Sequence, residues 1–309
     1  MKHAMQVLQE TAIQNGPLCV GLDTDPSYLP PSVLSVFETP AQAVLAYNRS
    51  LVKRISEKNT ACCFKVQIAY YEAMGLEGLS VYVETLRTIR ENGLTVISDI
   101  KRGDIANTAA AYAKAHFSGD FETDIITVNP YMGFDTLVPF TSYCTPAKGM
   151  KGVFVLLRTS NPGAADLEQL QLEQGERVLD QVGKHLAELA SESGKLYPGE
   201  TCSAVGAVVG CTGENDAKML RDAYPSVFFL IPGYGAQGGT AHIASILLGK
   251  AGGVVNSSRA ILCAWQKDKL LEKQRTAGVL CLADILDSAD RAASKAKQEL
   301  QEAERTQGL

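Results

Sequence analysis

The sequence predicts an α/β fold in which eight parallel strands close into a barrel surrounded by helices, the (β/α)8 or TIM barrel. Eight short apolar runs, rich in β-branched residues, recur along the 309 residues. They are apolar almost throughout, which is typical of parallel strands covered on both faces. Most gaps between them have helical spacing, and this repeated alternation favours the barrel. A doubly wound open sheet is the alternative, disfavoured because no G-x-G-x-x-G motif follows the first run.

The predicted elements follow from these patterns in chain order. Residues 1–16 have the pattern of an amphipathic helix and lack the apolar segment of a signal peptide. The eight predicted strands are 18–22, 62–66, 95–100, 125–128, 153–157, 205–209, 227–231 and 253–255. The helices with the clearest periodicity are 41–56, 79–89, 167–190 and 243–248. We expect one barrel domain over residues 1–309, with an insertion around 160–200 and, after Leu286, a charged, solvated helix that frays near Gln307.

Composition and charge restrict the classes of function. The net charge of −5 argues against a nucleic-acid surface, which needs a basic field, but is compatible with a small anionic substrate in a local cationic pocket. No apolar run is as long as a membrane span. None of the eight cysteines forms a C-x-x-C pair, and the four histidines are scattered. We therefore expect buried, reduced thiols in a cytoplasmic protein, and no metal site.

A charged segment, D-I-K-R-G-D over residues 99–104, closes the third predicted strand. Alternate residues of a strand share a face, so Asp99 and Lys101 are expected to point the same way, with a second carboxylate at Asp104. Such charges lose hydration when they are buried, and clusters of them concentrate at functional sites. The alternative interpretation is a solvated surface turn.

Polar residues also lie at the ends of other predicted strands, where barrels carry their active sites. Lys65 lies inside the second strand, where burial is unfavourable unless a counter-charge such as Asp99 meets it. A glycine-rich loop, 233–239, follows strand seven and Arg259 follows strand eight, which is the usual phosphate position in such barrels. For each of these residues taken alone, the alternative interpretation is a purely structural role in a turn or a surface ion pair. Further candidates of this kind are Asp23, Ser160 and Gln237.

On these residues the chain resembles the orotidine 5′-phosphate decarboxylase family, in its longer bacterial form. Residues 99–108 match the family pattern D-x-K-x-x-D-I-x-x-T. Further matches at 21–23, 64–66, 159–161, 232–239 and 256–259 extend the resemblance over the whole predicted barrel. Related sugar-phosphate decarboxylases and hexulose-phosphate synthases share the D-x-K-x-x-D segment, but they typically carry a carboxylate where this chain has Lys65.

The resemblance implies an activity and a role for each residue. The expected reaction converts orotidine 5′-monophosphate to UMP and CO2, the last step of UMP synthesis, without metal or organic cofactor. A charge network would carry the chemistry, with Lys101 as proton donor; its members would be Lys65, Asp99, Lys101 and Asp104. The substrate-binding residues would be Asp23, Thr108, Ser160, Pro232, Gly235, Gln237 and Arg259. A homodimer is also implied, in which Asp104 and Thr108 reach the active site of the other subunit.

Other functions stay open from the residues alone. A lysine at the end of a barrel strand can act as a Schiff-base nucleophile in an aldolase, although Lys101 between carboxylates is expected to stay protonated. A sugar-phosphate decarboxylase on the same barrel is another enzymatic alternative. A non-catalytic barrel that senses a nucleotide would bind it tightly without turnover.

Overall fold

Eight parallel strands form a closed barrel in sequential order, so the predicted fold class is confirmed. This computed structural model describes residues 2–211, 213–235 and 239–308. The barrel closes because β1 pairs with β8 as well as with β2. The strands are β1 Leu18–Gly21, β2 Cys63–Gln67, β3 Thr95–Arg102, β4 Ile125–Val128, β5 Gly152–Arg158, β6 Val205–Val209, β7 Phe229–Ile231 and β8 Gly253–Ser257.

Helices connect the strands and surround the barrel. Their bounds are α1 Ala4–Asn15, α2 Pro31–Leu34, α3 Pro40–Glu57, α4 Ile68–Glu72, α5 Gly75–Glu91, α6 Ala106–Ser118, α7 Val138–Thr141, α8 Val178–Lys195, α9 Glu214–Ala223, α10 Ala241–Leu248, α11 Arg259–Leu262, α12 Glu272–Ala277 and α13 Leu282–Gln307. Short 3₁₀ helices lie at Pro26–Tyr28, Phe134–Leu137, Ser142–Cys144, Pro162–Asp166, Ala264–Gln266 and Lys269–Leu271. Within the described ranges, no helix is long and apolar enough to cross a membrane.

Apolar side chains fill the half of the barrel interior that is nearer the N-terminal ends of the strands. Cys19, Ile97 and Phe154 point inward and belong to one buried cluster with Met5 and Leu8 of α1. Helix α1 therefore covers the N-terminal end of the barrel. A larger apolar cluster packs the outer faces of the strands against the surrounding helices. The N-terminal half of the interior is filled by apolar side chains and covered by α1. Polar side chains that point inward therefore lie at the C-terminal ends of the strands.

The predicted helix 167–190 is wrong at its start. The chain after β5 forms the 3₁₀ helix and then a turn in which Gln171 and Arg177 pair as an isolated antiparallel bridge, and α8 begins only at Val178. Leucines at helical spacing misled the prediction, because Leu167 and Leu170 are half exposed and mark no buried helix face. Residues 167–177 therefore form an irregular segment close to the end of β5.

The C-terminal helix α13 is amphipathic rather than fully solvated. One face is buried and packs on α10 and α3. Its alanines allow a close approach to the barrel, and buried residues recur along it to Leu300. The helix continues to Gln307, where Gly308 ends it in a left-handed conformation. The prediction of a solvated tail after Leu286 is therefore wrong, since the small side chains are what permit the packing.

Candidate active site

A cavity of about 570 Å³ opens at the C-terminal ends of the strands. Apolar side chains, including Leu156 and Val208, form part of its wall. A wider depression of about 1300 Å³ lies beside it along α11 and α13, and shares Tyr234 and Arg259 with it. The charged cluster predicted from the sequence lies in the smaller cavity, which we take as the candidate site. The predicted site residues that line it are Asp23, Lys65, Asp99, Lys101, Ser160, Pro232 and Arg259.

Four of these side chains form a line of alternating charge across β1, β2 and β3. The Lys65 Nζ lies 3.0 Å from Asp23 Oδ1 and 2.9 Å from Asp99 Oδ2. The Lys101 Nζ lies 2.7 Å from Asp99 Oδ1. The Lys65 side chain is almost fully buried, so the counter-charge expected from its sequence position is present, supplied by two carboxylates.

A local irregularity of β3 directs Lys101 toward Asp99. The pairing of β3 with β4 shifts register between Ser98 and Arg102, and Lys101 has a φ of +45°, which non-glycine residues rarely adopt. The hydroxyl of Thr127 supports this conformation. It accepts the backbone N–H groups of Ile100 and Lys101, each at 3.0 Å, and donates to Asp99 Oδ1 at 2.8 Å. The backbone strain at Lys101 is thus held in place by a neighbouring strand.

The line of charges determines the ionisation of its buried members. Burial alone would raise the pKa of Asp99, but the charges of Lys65 and Lys101 outweigh it and hold that pKa well below its usual range. Burial alone would lower the pKa of Lys65, yet Asp23 and Asp99 raise it above its usual value. At neutral pH the cavity therefore contains an ionised carboxylate between two ammonium groups.

The lowered pKa of Asp99 makes the protein less stable in acid. Its ionised form stabilises the fold fully above the unfolded carboxyl pKa of about 4, and this contribution is lost as pH falls toward the lower folded pKa. We expect the free energy of unfolding to decrease between pH 4 and pH 2, by up to about 1.4 kcal/mol per pH unit from this group. Denaturant unfolding across that range measures the slope. The slope should shrink in Asp99→Asn and persist in Asp120→Asn, which changes an exposed carboxylate; equal slopes in the two variants would contradict this origin.

Asp104 and Thr108 lie outside the cavity of their own chain. The Asp104 carboxylate accepts the N–H of Ile105 at 2.8 Å, and Thr108 lies exposed near the start of α6. Neither residue lines the cavity. The predicted network of Lys65, Asp99, Lys101 and Asp104 is therefore only partly assembled within one chain, where Asp23 takes the fourth position.

The loop after β5 brings Ser160 to the cavity. Its conformation depends on Glu168, which the sequence analysis did not identify. The Glu168 carboxylate accepts the Thr159 N–H at 3.1 Å and the Thr159 hydroxyl at 2.6 Å, and it forms an ion pair with Arg158. The irregular segment after β5 thus folds back to hold the loop that presents Ser160.

The loop after β7 and the start of α11 form the far end of the cavity. Pro232 and Arg259 line it, whereas Gly235 borders the neighbouring depression, with a φ of +78° that suits glycine. The predicted Gln237 lies outside the described residues. Arg259 is exposed and has no ion pair with any residue that the structure describes, so its guanidinium is available to a ligand at this end.

The sequence analysis did not identify Thr127, and it included Asn256 and Ser258 only in the family match at 256–259, without a role in the site. All three line the cavity, and Ser258 donates to Asp23 Oδ2 at 2.8 Å. The signal for Thr127 was its position as the polar residue of an apolar strand. Across the described ranges, no three histidine, cysteine or acidic side chains lie together as a metal would require.

Comparisons with known proteins identify one family. A family model described as orotidine 5′-phosphate decarboxylase / HUMPS family matches residues 16–267. A relative named orotidine 5′-phosphate decarboxylase, from Clostridium perfringens (strain SM101 / Type A), is 51% identical over 261 residues, which cover 84% of this chain and 88% of the relative. One of the same name from Clostridium botulinum (strain Hall) is 50% identical over 262 residues, which cover 84% of this chain and 89% of the relative.

A solved structure agrees as well. The OMP decarboxylase of Leishmania donovani superposes with a TM-score of 0.72 at 28% identity, covering 98% of this chain and 99% of that one. The family model spans all eight strands of the barrel that carries the cavity, and each clostridial relative covers 84% of the chain. The chain belongs to the orotidine 5′-phosphate decarboxylase / HUMPS family.

Proposed function

We propose that this protein decarboxylates orotidine 5′-monophosphate to UMP and CO2. The observation that carries the proposal is the line of charges in the cavity, in which Asp99 lies between Lys65 and Lys101. Membership of the family and the names of the clostridial relatives support the same reaction. The chemistry needs only an acid, a charge that disfavours the bound carboxylate, and sites for the ribose and the phosphate.

In the proposed reaction, Asp99 lies beside the C6 carboxylate of the substrate and disfavours it by like-charge repulsion. The bond between C6 and the carboxylate breaks, CO2 departs, and the electron pair stays on C6. The ammonium of Lys101 stabilises the developing carbanion and transfers a proton to C6. Lys101 is then neutral and regains a proton from solvent, to which its side chain is 45% exposed.

The remaining cavity residues are proposed to bind the substrate. Asp23 and Lys65 would contact the ribose hydroxyls, and Ser160 would bind the pyrimidine. The loop after β7, with Pro232, Gly235 and Gln237, would enclose the phosphate together with Arg259. Binding of the phosphate far from C6 can contribute to catalysis by drawing such a loop closed.

Three features favour this reaction over its rivals. Lys65 occupies the strand-two position at which the sugar-phosphate enzymes typically carry a carboxylate. An aldolase needs a neutral amine, whereas Asp23 and Asp99 raise the pKa of Lys65, so that it stays charged. A nucleotide sensor would gain nothing from placing Asp99 next to a bound carboxylate.

The decisive experiment follows the ultraviolet absorbance of orotidine 5′-monophosphate mixed with the purified protein and excess EDTA. Loss of the orotate absorbance with formation of UMP is the expected result. A folded protein that binds UMP without turnover would support the sensor instead. Absence of both turnover and binding would favour a sugar-phosphate substrate or an aldolase, and borohydride trapping of an imine would identify the latter.

Arg259→Ala is expected to weaken substrate binding rather than chemistry. A guanidinium that donates charge-assisted hydrogen bonds to a phosphate contributes about 1.5–3 kcal/mol. The KM for orotidine 5′-monophosphate should therefore rise about 10- to 100-fold, with a smaller change in kcat. Steady-state kinetics measure both constants, and Arg305→Ala, at the exposed end of α13, is the matched control. A fall in kcat at unchanged KM would place Arg259 in the chemical step instead.

We also propose that the protein is a homodimer in the cytoplasm, in which Asp104 and Thr108 complete the active site of the partner. The loops after β3 and β4 support this. They lie together, since Asn129 donates its N–H to the Arg102 carbonyl at 2.8 Å. Apolar residues around them are at least half exposed, namely Ile105, Tyr131, Met132 and Val138. The cytoplasmic location is consistent with eight free cysteines.

Mixing two inactive variants tests the shared site. In a dimer of one Lys101→Ala and one Asp104→Ala subunit, the site that retains Lys101 would receive an intact Asp104 from the other subunit. After equal mixing and reassembly, about a quarter of wild-type activity should return, because half of the dimers are mixed and each has one intact site. An unmixed Lys101→Ala sample is the control. No recovery, with mixed dimers present on native mass spectrometry, would show that Asp104 acts within its own chain.

A further inference from the structure

We propose that Ser258, directed by Asn256, is a positioning residue that fixes the carboxylate of Asp23 as a hydrogen-bond acceptor and thereby selects ligands with a ribose hydroxyl. This inference rests on the proposed function and deepens it, since it names what sets the sugar specificity of the site. It concerns residues that neither the charged motif nor the phosphate loop includes.

The hydrogen bonds around Asp23 run in one direction. The thiol of Cys19 donates to Asn256 Oδ1 at 3.6 Å, and the Asn256 Nδ2 donates to Ser258 Oγ at 3.3 Å. Since Ser258 Oγ already accepts from Asn256, its own proton is free for Asp23 Oδ2, which lies 2.8 Å away. The chain of donors thus begins in the apolar interior of the barrel and ends on a carboxylate of the cavity.

The backbone of β1 leaves room for this arrangement. A Cβ atom at Gly21 would lie 1.9 Å from Ser258 Oγ and 2.8 Å from Asn256 Oδ1, so any side chain at this position would displace both. The register of β1 with β8 places Cys19 opposite Asn256. Inward-facing positions of the first and last strands therefore meet where the barrel closes, and glycine is required between them.

Both oxygens of Asp23 are held by donors. Lys65 donates to Oδ1 and Ser258 donates to Oδ2, while the side chain is 19% exposed. An ionised carboxylate can only accept further hydrogen bonds, and Asp23 is among the residues that line the cavity. A ligand hydroxyl beside Asp23 donates a further hydrogen bond to it, whereas a ligand with hydrogen in that place displaces water from the carboxylate without replacing the hydrogen bond. Sites built in this way discriminate strongly against analogues that lack the hydroxyl.

The test compares binding of UMP, 2′-deoxy-UMP and 3′-deoxy-UMP by calorimetry. The wild type should bind at least one deoxy analogue about 10- to 100-fold more weakly than UMP. In Ser258→Ala, Asp23 keeps only its hydrogen bond from Lys65 and can turn about it. The ratio of the Kd of the deoxy analogue to that of UMP should therefore fall about 3- to 10-fold, with the KM for orotidine 5′-monophosphate raised and kcat changed less. The shift in the ratio distinguishes positioning of Asp23 from a general loss of structure, which would weaken all three ligands alike.

Ser257→Ala is the matched control. Ser257 is the adjacent residue of the same type, it is buried, and its hydroxyl has no hydrogen-bond partner among the described residues. Its removal should leave the ratio unchanged. If Ser258→Ala does not fold, Asn256→Ala retains the Ser258 hydroxyl without the amide that directs it, and the ratio should fall by a smaller factor.

Each outcome separates this inference from the proposed function. A wild-type protein that neither decarboxylates orotidine 5′-monophosphate nor binds UMP overturns the function and the inference with it. If the wild type is active, three results would overturn the inference alone. They are the same affinity of the wild type for UMP and both deoxy analogues, a wild-type ratio in the folded Ser258→Ala and Asn256→Ala variants, and a ratio in Ser257→Ala that falls as much as in Ser258→Ala.

Discussion

Lys101→Ala is expected to lower the turnover of orotidine 5′-monophosphate by at least about 10⁴-fold, because it removes both a proton donor and the charge that stabilises the carbanion. Binding of UMP should change by less than about tenfold, since UMP has no C6 carboxylate and the contacts to ribose and phosphate remain. The absorbance assay measures turnover, and calorimetry measures UMP affinity. This variant has the largest expected effect on activity.

The variant tests the side chain rather than the backbone. Lys101 already holds a φ of +45°, and alanine at this position has the same conformational penalty. Thr127 contacts the backbone N–H of Lys101, which the substitution leaves unchanged. Lys53→Ala, on an exposed lysine of α3, is the matched control and should keep wild-type turnover. Near-normal turnover in Lys101→Ala would mean that another group supplies the proton.

Lys65→Met should have the largest effect on stability. It removes the shared partner of Asp23 and Asp99, and leaves Asp99 buried with only Lys101 as a counter-charge. Breaking a buried ion pair by removing one member lowers the free energy of unfolding by about 3–5 kcal/mol. Methionine has a similar length, so a cavity contributes little to the change. Denaturant unfolding at pH 7 measures the loss.

A pH series separates the electrostatic origin of this effect from a packing defect. As pH falls below about 4, Asp99 in the variant becomes protonated and neutral, so that its burial no longer requires the charge of Lys65. The difference in the free energy of unfolding between variant and wild type should therefore narrow. Lys53→Met should stay within about 0.5 kcal/mol of wild type throughout, because an exposed pair contributes little. A deficit independent of pH would argue for packing, and no deficit at all would show that the two carboxylates do not depend on Lys65.

The predictions that succeeded depend on local periodicity. The strands were recognisable because a parallel strand covered on both faces is continuously apolar over several residues, and the barrel followed from their number. The start of the helix 167–190 was misplaced because it, too, was predicted from local spacing. Leu167 and Leu170 have helical spacing, but they are half exposed, and Glu168 beside them binds the loop at Thr159. The spacing of apolar residues alone does not show whether a segment forms a buried helix or instead folds back on a neighbouring loop.

The charged residues of the site were predictable because burying them is costly. Lys65 within an apolar strand required a counter-charge, and Asp99 on the adjacent strand supplies it. Asp23 also binds Lys65, because the chain continues past the end of β1. Alternation within a strand does not predict where residues beyond the end of that strand lie. The turn of Lys101 toward Asp99 depends on the shifted register of β3 against β4.

The sequence by itself determined the barrel, the end of it that carries the site, and the charged residues that gather there, since each of these follows from the pattern of a single strand or its ending. Only the tertiary structure decided which side chains hold these charges in place. Ser258 donates to Asp23 across 235 positions of sequence because β8 closes the barrel against β1, beside a glycine that leaves the space. Contacts of this kind arise from barrel closure, a long-range event that no local pattern records.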